Sequence, residues 1–270
     1  MIVELRIFNV EHGACALLTC DNGKRLMIDC GHNASTGWTP SWHLQRMGIS
    51  TLDVLMITNY DEDHVSGLRD LDTRLNINWL FRNTSVSGAT LQHLKSESGI
   101  GANIAHLANR LNDFTPSANP LPHFPGVTWE VYYNNYPIFD DENNLSMVVS
   151  LNVNGVKFLF SGDMERAGWI TLLNKSPKLC TAVTTTDVLI ASHHGRENGI
   201  CEEMFDILKC KPSIVIISDD YRQYDTQNTT QYYASKAQGI IFRGRSRYVL
   251  TTRNDGEINF VFSETGCFVQ

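Results

Sequence analysis

A short apolar run, Asp53-Val-Leu-Met-Ile-Thr58, stops abruptly at Asn59-Tyr-Asp-Glu-Asp-His64. The run has the length and composition of a buried strand, and it ends by releasing Asp61, Asp63 and His64 at spacings i, i+2 and i+3. Loops at the carboxyl ends of strands are where open α/β sheets place their ligands. Packing gains nothing from this cluster, because two carboxylates two residues apart repel unless a cation or solvent intervenes. The loop therefore reads either as a metal site or as a solvated acidic turn.

The same pattern recurs twice. Phe160-Ser-Gly-Asp163 is an apolar run, a small-residue turn and one carboxylate. Val188-Leu-Ile-Ala-Ser-His193-His194-Gly195 ends a third run on two histidines before a glycine. Either motif alone is weak. Three strand ends that each deliver Asp or His point to one shared rim, provided the strands lie in facing sheets.

The rest of the chain supports such sheets. Residues 1–30 alternate as an antiparallel meander, with Asn22-Gly23 set for a type I′ hairpin turn. A second Asn-Gly turn at 154–155 hints at two related halves. Helical spacing covers residues 87–112, and shorter helices are expected at 42–47, from Val65, at 201–208 and at 228–238. The proline-rich stretch 115–126 is a loop, and a last hairpin is expected to join Tyr248–Thr252 to Glu257–Phe262. Strand meanders alternating with helices imply two facing mixed sheets flanked by helices. No linker composition divides residues 1–270, so one domain is expected.

Composition narrows the class. The 42% hydrophobic and 19% charged residues are those of an ordinary globular protein. No apolar stretch approaches the roughly 18 residues of a membrane span, and the N-terminus lacks a signal-peptide layout. A cytoplasmic location is the expectation. The seven cysteines form no Cys-x-x-Cys pair, which removes a zinc ribbon or a thioredoxin-like site. A net charge of −7 argues against a dominant phosphate-binding surface. Arg243, Arg245, Arg247 and Arg253 form a local basic group that reads first as a solvated face.

The ordered motifs resemble the metallo-β-lactamase superfamily, whose signature is His-x-His-x-Asp-His, a later Gly-Asp and a late His. They are most similar to the branch containing the metallohydrolase domain of ComEC-type DNA-uptake proteins. The matching segments are Asn9-Val-Glu-His-Gly13, Met27-Ile-Asp29-Cys-Gly31, Thr58 to Gly67, Asn143-Asn144-Leu-Ser146, Phe160-Ser-Gly-Asp163 and Ser192-His193-His194-Gly195. The resemblance implies an αββα sandwich with the site along one sheet edge. It implies Asp63, His64, Asp163 and His194 as ligands of one or two divalent ions, zinc or manganese. Asn59 and Asp61 stand at the first and second histidine positions of the motif, and the resemblance implies them as metal ligands too. Asn59 is a departure, since an amide oxygen suits a hard cation better than zinc. A second departure lies near Tyr224-Asp225-Thr226-Gln227, where the branch often has His-Pro-Ser.

With a cation bound, the implied chemistry is hydrolysis, and the resemblance points to a nuclease or phosphodiesterase acting on a nucleic acid or nucleotide. Asp61 or Asp63 would orient water, and His193 would donate a proton or hold the substrate. Alternatives are a hydrolase of small esters, lactones or thioesters, and a degenerate binding protein for which Asn59 is the supporting feature. His12, Asp29, His32, Asn144, Ser146 and Asp225 are expected around the ligands or against the substrate. Asp225 equally suits a capping role before the following helix. Protein partners are not indicated.

Overall fold

The computed structural model describes residues 2–96, 99–112, 120–221 and 225–270. In its first half, strands β1 (Val3–Ile7), β2 (Ala16–Cys20), β3 (Arg25–Ile28), β4 (Thr51–Met56) and β5 (Asn76–Phe81) alternate with five helices. These are α1 (Pro40–Arg46), α2 (Glu62–Val65), α3 (Leu68–Arg74), α4 (Gly88–Leu94) and α5 (Ala102–Asn112). The second half holds β6 (Val127–Tyr133), β7 (Met147–Val153), β8 (Val156–Phe160), β9 (Val188–Ile190) and β10 (Ile214–Ile217). They are followed by β11 (Ile240–Phe242), β12 (Arg245–Arg247), β13 (Val249–Thr251), β14 (Ile258–Ser263) and β15 (Gly266–Val269). Its helices are α6 (Arg166–Lys175), α7 (Pro177–Thr184), α8 (Glu202–Asp206), α9 (Thr230–Lys236) and α10 (Thr252–Asp255).

Two mixed sheets result. One has the order β15-β14-β1-β2-β3-β4-β5 and the other β13-β10-β9-β8-β7-β6, with a small β11-β12 hairpin beside them. Alternation along the strands explains how they stack. Leu18, Val54 and Met56 point between the sheets against Val149, Leu151, Phe158 and Ile216. Their neighbours Leu17 and Leu55 point the other way, onto Leu44, Leu68, Leu71 and Leu107 of the helices. On the far side Val148, Leu159, Leu189 and Val215 pack beneath Trp169, Leu172, Leu179 and Tyr233. A period of two sends successive residues to opposite faces, so strands apolar at every position need cover on both sides. The layers are helix, sheet, sheet, helix.

Two expectations are corrected. Tyr248–Thr252 and Glu257–Phe262 form no hairpin: β13 joins the second sheet parallel to β10, and β14 joins the first antiparallel to β1. Asn254-Asp255-Gly256 instead ends α10, where the Asp255 carboxylate accepts the Thr251 N–H at 2.9 Å and pairs with Arg247 at 2.8 Å. The turn at 22–23 has a positive φ only at Gly23 (79°), while the one at 154–155 has it at both residues. At the first turn the Asn22 side chain accepts the Lys24 N–H at 3.1 Å, and this local bond replaces the I′ geometry. Strand β5 and helices α6 and α7 were not expected.

The first part of the 115–126 loop lies outside the described residues. Among the described residues no helix is long and apolar enough to cross a membrane.

Candidate metal centre

Four strand ends meet along one rim. After β4 the chain turns into α2, whose first turn carries Asp63 and His64. The Asp63 carbonyl sits so close to the opening loops that a Cβ on Gly13 or Gly31 would lie 2.7 or 2.5 Å from it. Side chains there would push the acidic loop away, which is a reason for glycine at both positions. After β8, Gly162 takes a φ of 54° and turns Asp163 inward.

Beyond β9, His193 and His194 both adopt left-handed backbone, with φ of 49° and 52°. Such geometry costs about 1–3 kcal/mol per residue, so the surroundings must hold it. The His193 N–H donates to the Gly162 carbonyl at 3.0 Å. His194 Nδ1 donates to the Ser218 carbonyl at 2.8 Å, at the end of β10.

Ligand atoms of Asp63, His64, Asp163 and His194 all lie within 4.8 Å of one another. His64 Nε2 is 3.1 Å from Asp163 Oδ1, and His194 Nε2 is 3.0 Å from Asp63 Oδ2 and 3.6 Å from Asp163 Oδ1. Behind His64, Asp29 Oδ2 faces Nδ1 at 2.9 Å, and Asp29 is itself held by the Thr58 N–H at 2.7 Å and by the Thr58 hydroxyl.

Burial works against charge throughout this cluster, and mutual attraction outweighs it. Asp163 and Asp29 raise the His64 pKa well above its ordinary value. Asp163 and Asp63 lift His194 to about 9. His194 and His64 in turn hold Asp63 at about 2 and keep the Asp163 carboxyl far below the usual range.

A divalent cation fits this donor set. Both imidazoles have Nδ1 occupied, by Asp29 and by the Ser218 carbonyl, which turns Nε2 toward the two carboxylates. Metal-binding histidines are oriented in this way. His194 Nε2 is buried with no aligned hydrogen-bond partner, although Asp63 lies beside it. Two imidazoles with two carboxylates suit zinc or manganese.

Residues 9–84 match the sequence model of the Metallo-beta-lactamase superfamily. It is also 24% identical over 220 residues to ComE operon protein 3 of Bacillus subtilis, covering 74% of this chain and 26% of that protein. The chain thus spans about a quarter of the length of this relative. A metallo hydrolase from the archaeon Ignicoccus hospitalis aligns at 14% identity with a TM-score of 0.47, covering 96% of this chain and 99% of the other. A diphosphatase of the PhnP family aligns at 10% identity with a TM-score of 0.44, covering 97% and 99%.

The remaining expected site residues are placed as follows. Asn59 and Asp61 lie outside the four-residue cluster. The Asn59 amide donates to Ser146 Oγ at 3.0 Å, and its oxygen accepts the Asp61 N–H at 2.7 Å. The Asp61 carboxylate pairs with Lys95, whose ammonium also meets Glu142 at 2.7 Å. Burial opposes the charge on Lys95, but the two carboxylates prevail and raise its pKa.

Ser146 Oγ also accepts the Asp163 N–H at 3.1 Å and so ties two of the loops together. Asn144 instead braces the α6 entrance, accepting the Gly168 N–H at 2.8 Å. His12 packs against His194 with tilted rings whose centroids are 4.3 Å apart, and its Nδ1 meets Asp219 Oδ1 at 3.0 Å. His193 faces Glu165 at 3.7 Å, and burial lowers its pKa. His32 is half-buried, bonded through its N–H to Ser66 Oγ at 3.1 Å. Asp225 is exposed, and its carbonyl accepts the Asn228 N–H at 2.9 Å. Tyr224 lies outside the described residues.

Several site neighbours were missed. Asp219, 1% exposed, holds His12 and is bonded in turn by Gln227 at 3.0 Å and Arg253 at 3.0 Å. Its signal was available, because Ile214–Ile217 followed by Ser218-Asp219 repeats the strand-end pattern a fourth time. Arg196 reaches His12 Nε2 at 3.2 Å and His193 Nε2 at 3.4 Å, and Lys95 comes from a separate helix. No local motif marks either residue.

Proposed function

We propose that this chain is a metal-dependent hydrolase that cleaves phosphodiester bonds in a nucleic acid or nucleotide. The observation that carries the reading is the convergence of Asp63, His64, Asp163 and His194 within 4.8 Å. A divalent ion held by these four would supply a Lewis acid that lowers the pKa of water toward neutrality.

The chain's own residues prepare the site. Asp29 and the Ser218 carbonyl fix which imidazole nitrogens face inward. His12 and His193, both reached by Arg196, line the rim beside the cluster. A guanidinium at that position matches the paired oxygens of a phosphoryl group better than a neutral ester. His193, whose pKa burial lowers, holds the substrate there. Asp63, held ionised beside His194, is better placed than Asp61 to orient water.

The deciding experiment pairs metal content with manganese-dependent turnover of bis-p-nitrophenyl phosphate and of p-nitrophenyl acetate. Turnover of the phosphodiester, lost together with the ion in Asp63→Ala, is the expected result. Turnover of the acetate alone would move the reading to carboxyl esters. A chain that binds no ion at saturating Mn²⁺ and Zn²⁺ is a binding protein and not a hydrolase.

A further inference from the structure

Beside the four-residue cluster lies a second group of charges that the proposed chemistry does not use. Lys95, at the C-terminal end of α4, directs a side chain only 8% exposed between Asp61 and Glu142. Its ammonium pairs with Asp61 Oδ1 and with Glu142 Oε1, the latter at 2.7 Å. Asp61 is two residues from Asp63, so this compartment adjoins the candidate metal centre. Asn59 closes it, spanning from Ser146 Oγ at 3.0 Å to the Asp61 N–H at 2.7 Å.

Two carboxylates that converge on one point, here from side chains 37% and 21% exposed, are favoured by a cation between them. A divalent ion is one answer, and an ammonium with three donors is another. Here the carboxylates come from two different loops and share one lysine that is almost wholly enclosed. An incoming ion would have to displace that side chain and break both of its ion pairs. We propose that the Lys95 ammonium is a resident cation standing where a second divalent ion would otherwise be held, so that the centre takes one ion per chain. The inference rests on the metal-dependent reading above, and it accounts for both Asn59 and Asp61 being turned to protein partners.

The test is metal stoichiometry of the full chain by elemental analysis at saturating Mn²⁺, with electron paramagnetic resonance to distinguish isolated from paired manganese. Wild type and Lys95→Arg should hold one isolated ion. Lys95→Ala should take up a second ion between the freed carboxylates and show a coupled pair. Lys95→Met, which keeps the apolar stem, should do the same if the alanine variant fails to fold. Asp61→Asn should leave the count at one.

Two ions in wild type would overturn the proposal while leaving the hydrolase reading intact. So would a single ion in both uncharged Lys95 variants, or loss of the ion in Asp61→Asn. No ion in wild type would overturn the hydrolase reading and this inference together.

Discussion

Asp29 holds the Nδ1 edge of His64 at 2.9 Å and thereby decides which nitrogen of that ring faces Asp163. Asp29 adopts a φ of 56°, a left-handed geometry that asparagine tolerates equally well. Asp29→Asn should therefore keep the fold, but it removes the negative charge behind the imidazole and sets an amide NH2 against a donor that the carboxylate now accepts from, either the Thr58 N–H or the His64 Nδ1 edge. Metal affinity is expected to drop about 10- to 100-fold, as for other partners of metal-bound histidines. Competition against a chromophoric chelator measures it, and unchanged affinity would remove Asp29 from any orienting role.

The charge balance of the metal-free cluster predicts a pH dependence. His194 has its pKa raised from 6.5 to about 9, so its contribution to stability is complete below 6.5 and disappears as pH rises through 9. Asp63, lowered from 3.8 to about 2, contributes above 3.8 and loses that contribution as pH falls through 2. Chelator-treated protein should thus show a urea midpoint that falls between neutral pH and about pH 9.5 on account of His194. A cation displaces the same protons. Calorimetry in two buffers of different ionisation enthalpy should find proton release on binding at neutral pH, and no release would contradict the assignment of His194.

Arg196, placed between His12 and His193, should matter for anionic substrates and not for neutral ones. Arg196→Gln is expected to raise KM for bis-p-nitrophenyl phosphate about tenfold, the equivalent of one charge-assisted contact of about 1.4 kcal/mol. Its kcat and its metal content should change little. An equal loss on a neutral ester would show that the arginine acts only by bracing the rim.

Gly31 tests the close approach that seats the acidic loop. A Cβ there would meet the Asp63 carbonyl at 2.5 Å and the Ala14 carbonyl at 2.9 Å, both backbone atoms with little freedom to retreat. Gly31→Ala should cost about 1–3 kcal/mol of stability and weaken metal binding along with it. Chemical denaturation and metal titration on the same sample check both. Undiminished stability would mean that the two loops separate more easily than their packing implies.

Much of this was legible in the chain itself. Apolar runs of strand length ending in Asp or His are local patterns, and a period of two within them is enough to predict sheets covered on both faces. Such endings offered Asp61, Asp63, His64, Asp163, His193 and His194 as candidates, and the structure brings Asp63, His64, Asp163 and His194 together. Sequence alone also set the Asn154-Gly155 turn, because positive φ at both positions is a property of those two residues.

What only the tertiary structure decided involves partners far apart in the chain. Asp61 meets Lys95, 34 positions away, and Asn59 meets Ser146, 87 positions away. No periodicity records such pairings, since they depend on which helix end and which loop the sheets bring to one rim. The exchange of β13 and β14 between sheets is of the same kind. Their alternating residues suited either a hairpin or two separate sheets, and the apolar faces of β10 and β1 chose between them. Local patterns thus offered the candidate residues, and long-range packing settled which of them converge and which turn to lysine and asparagine instead.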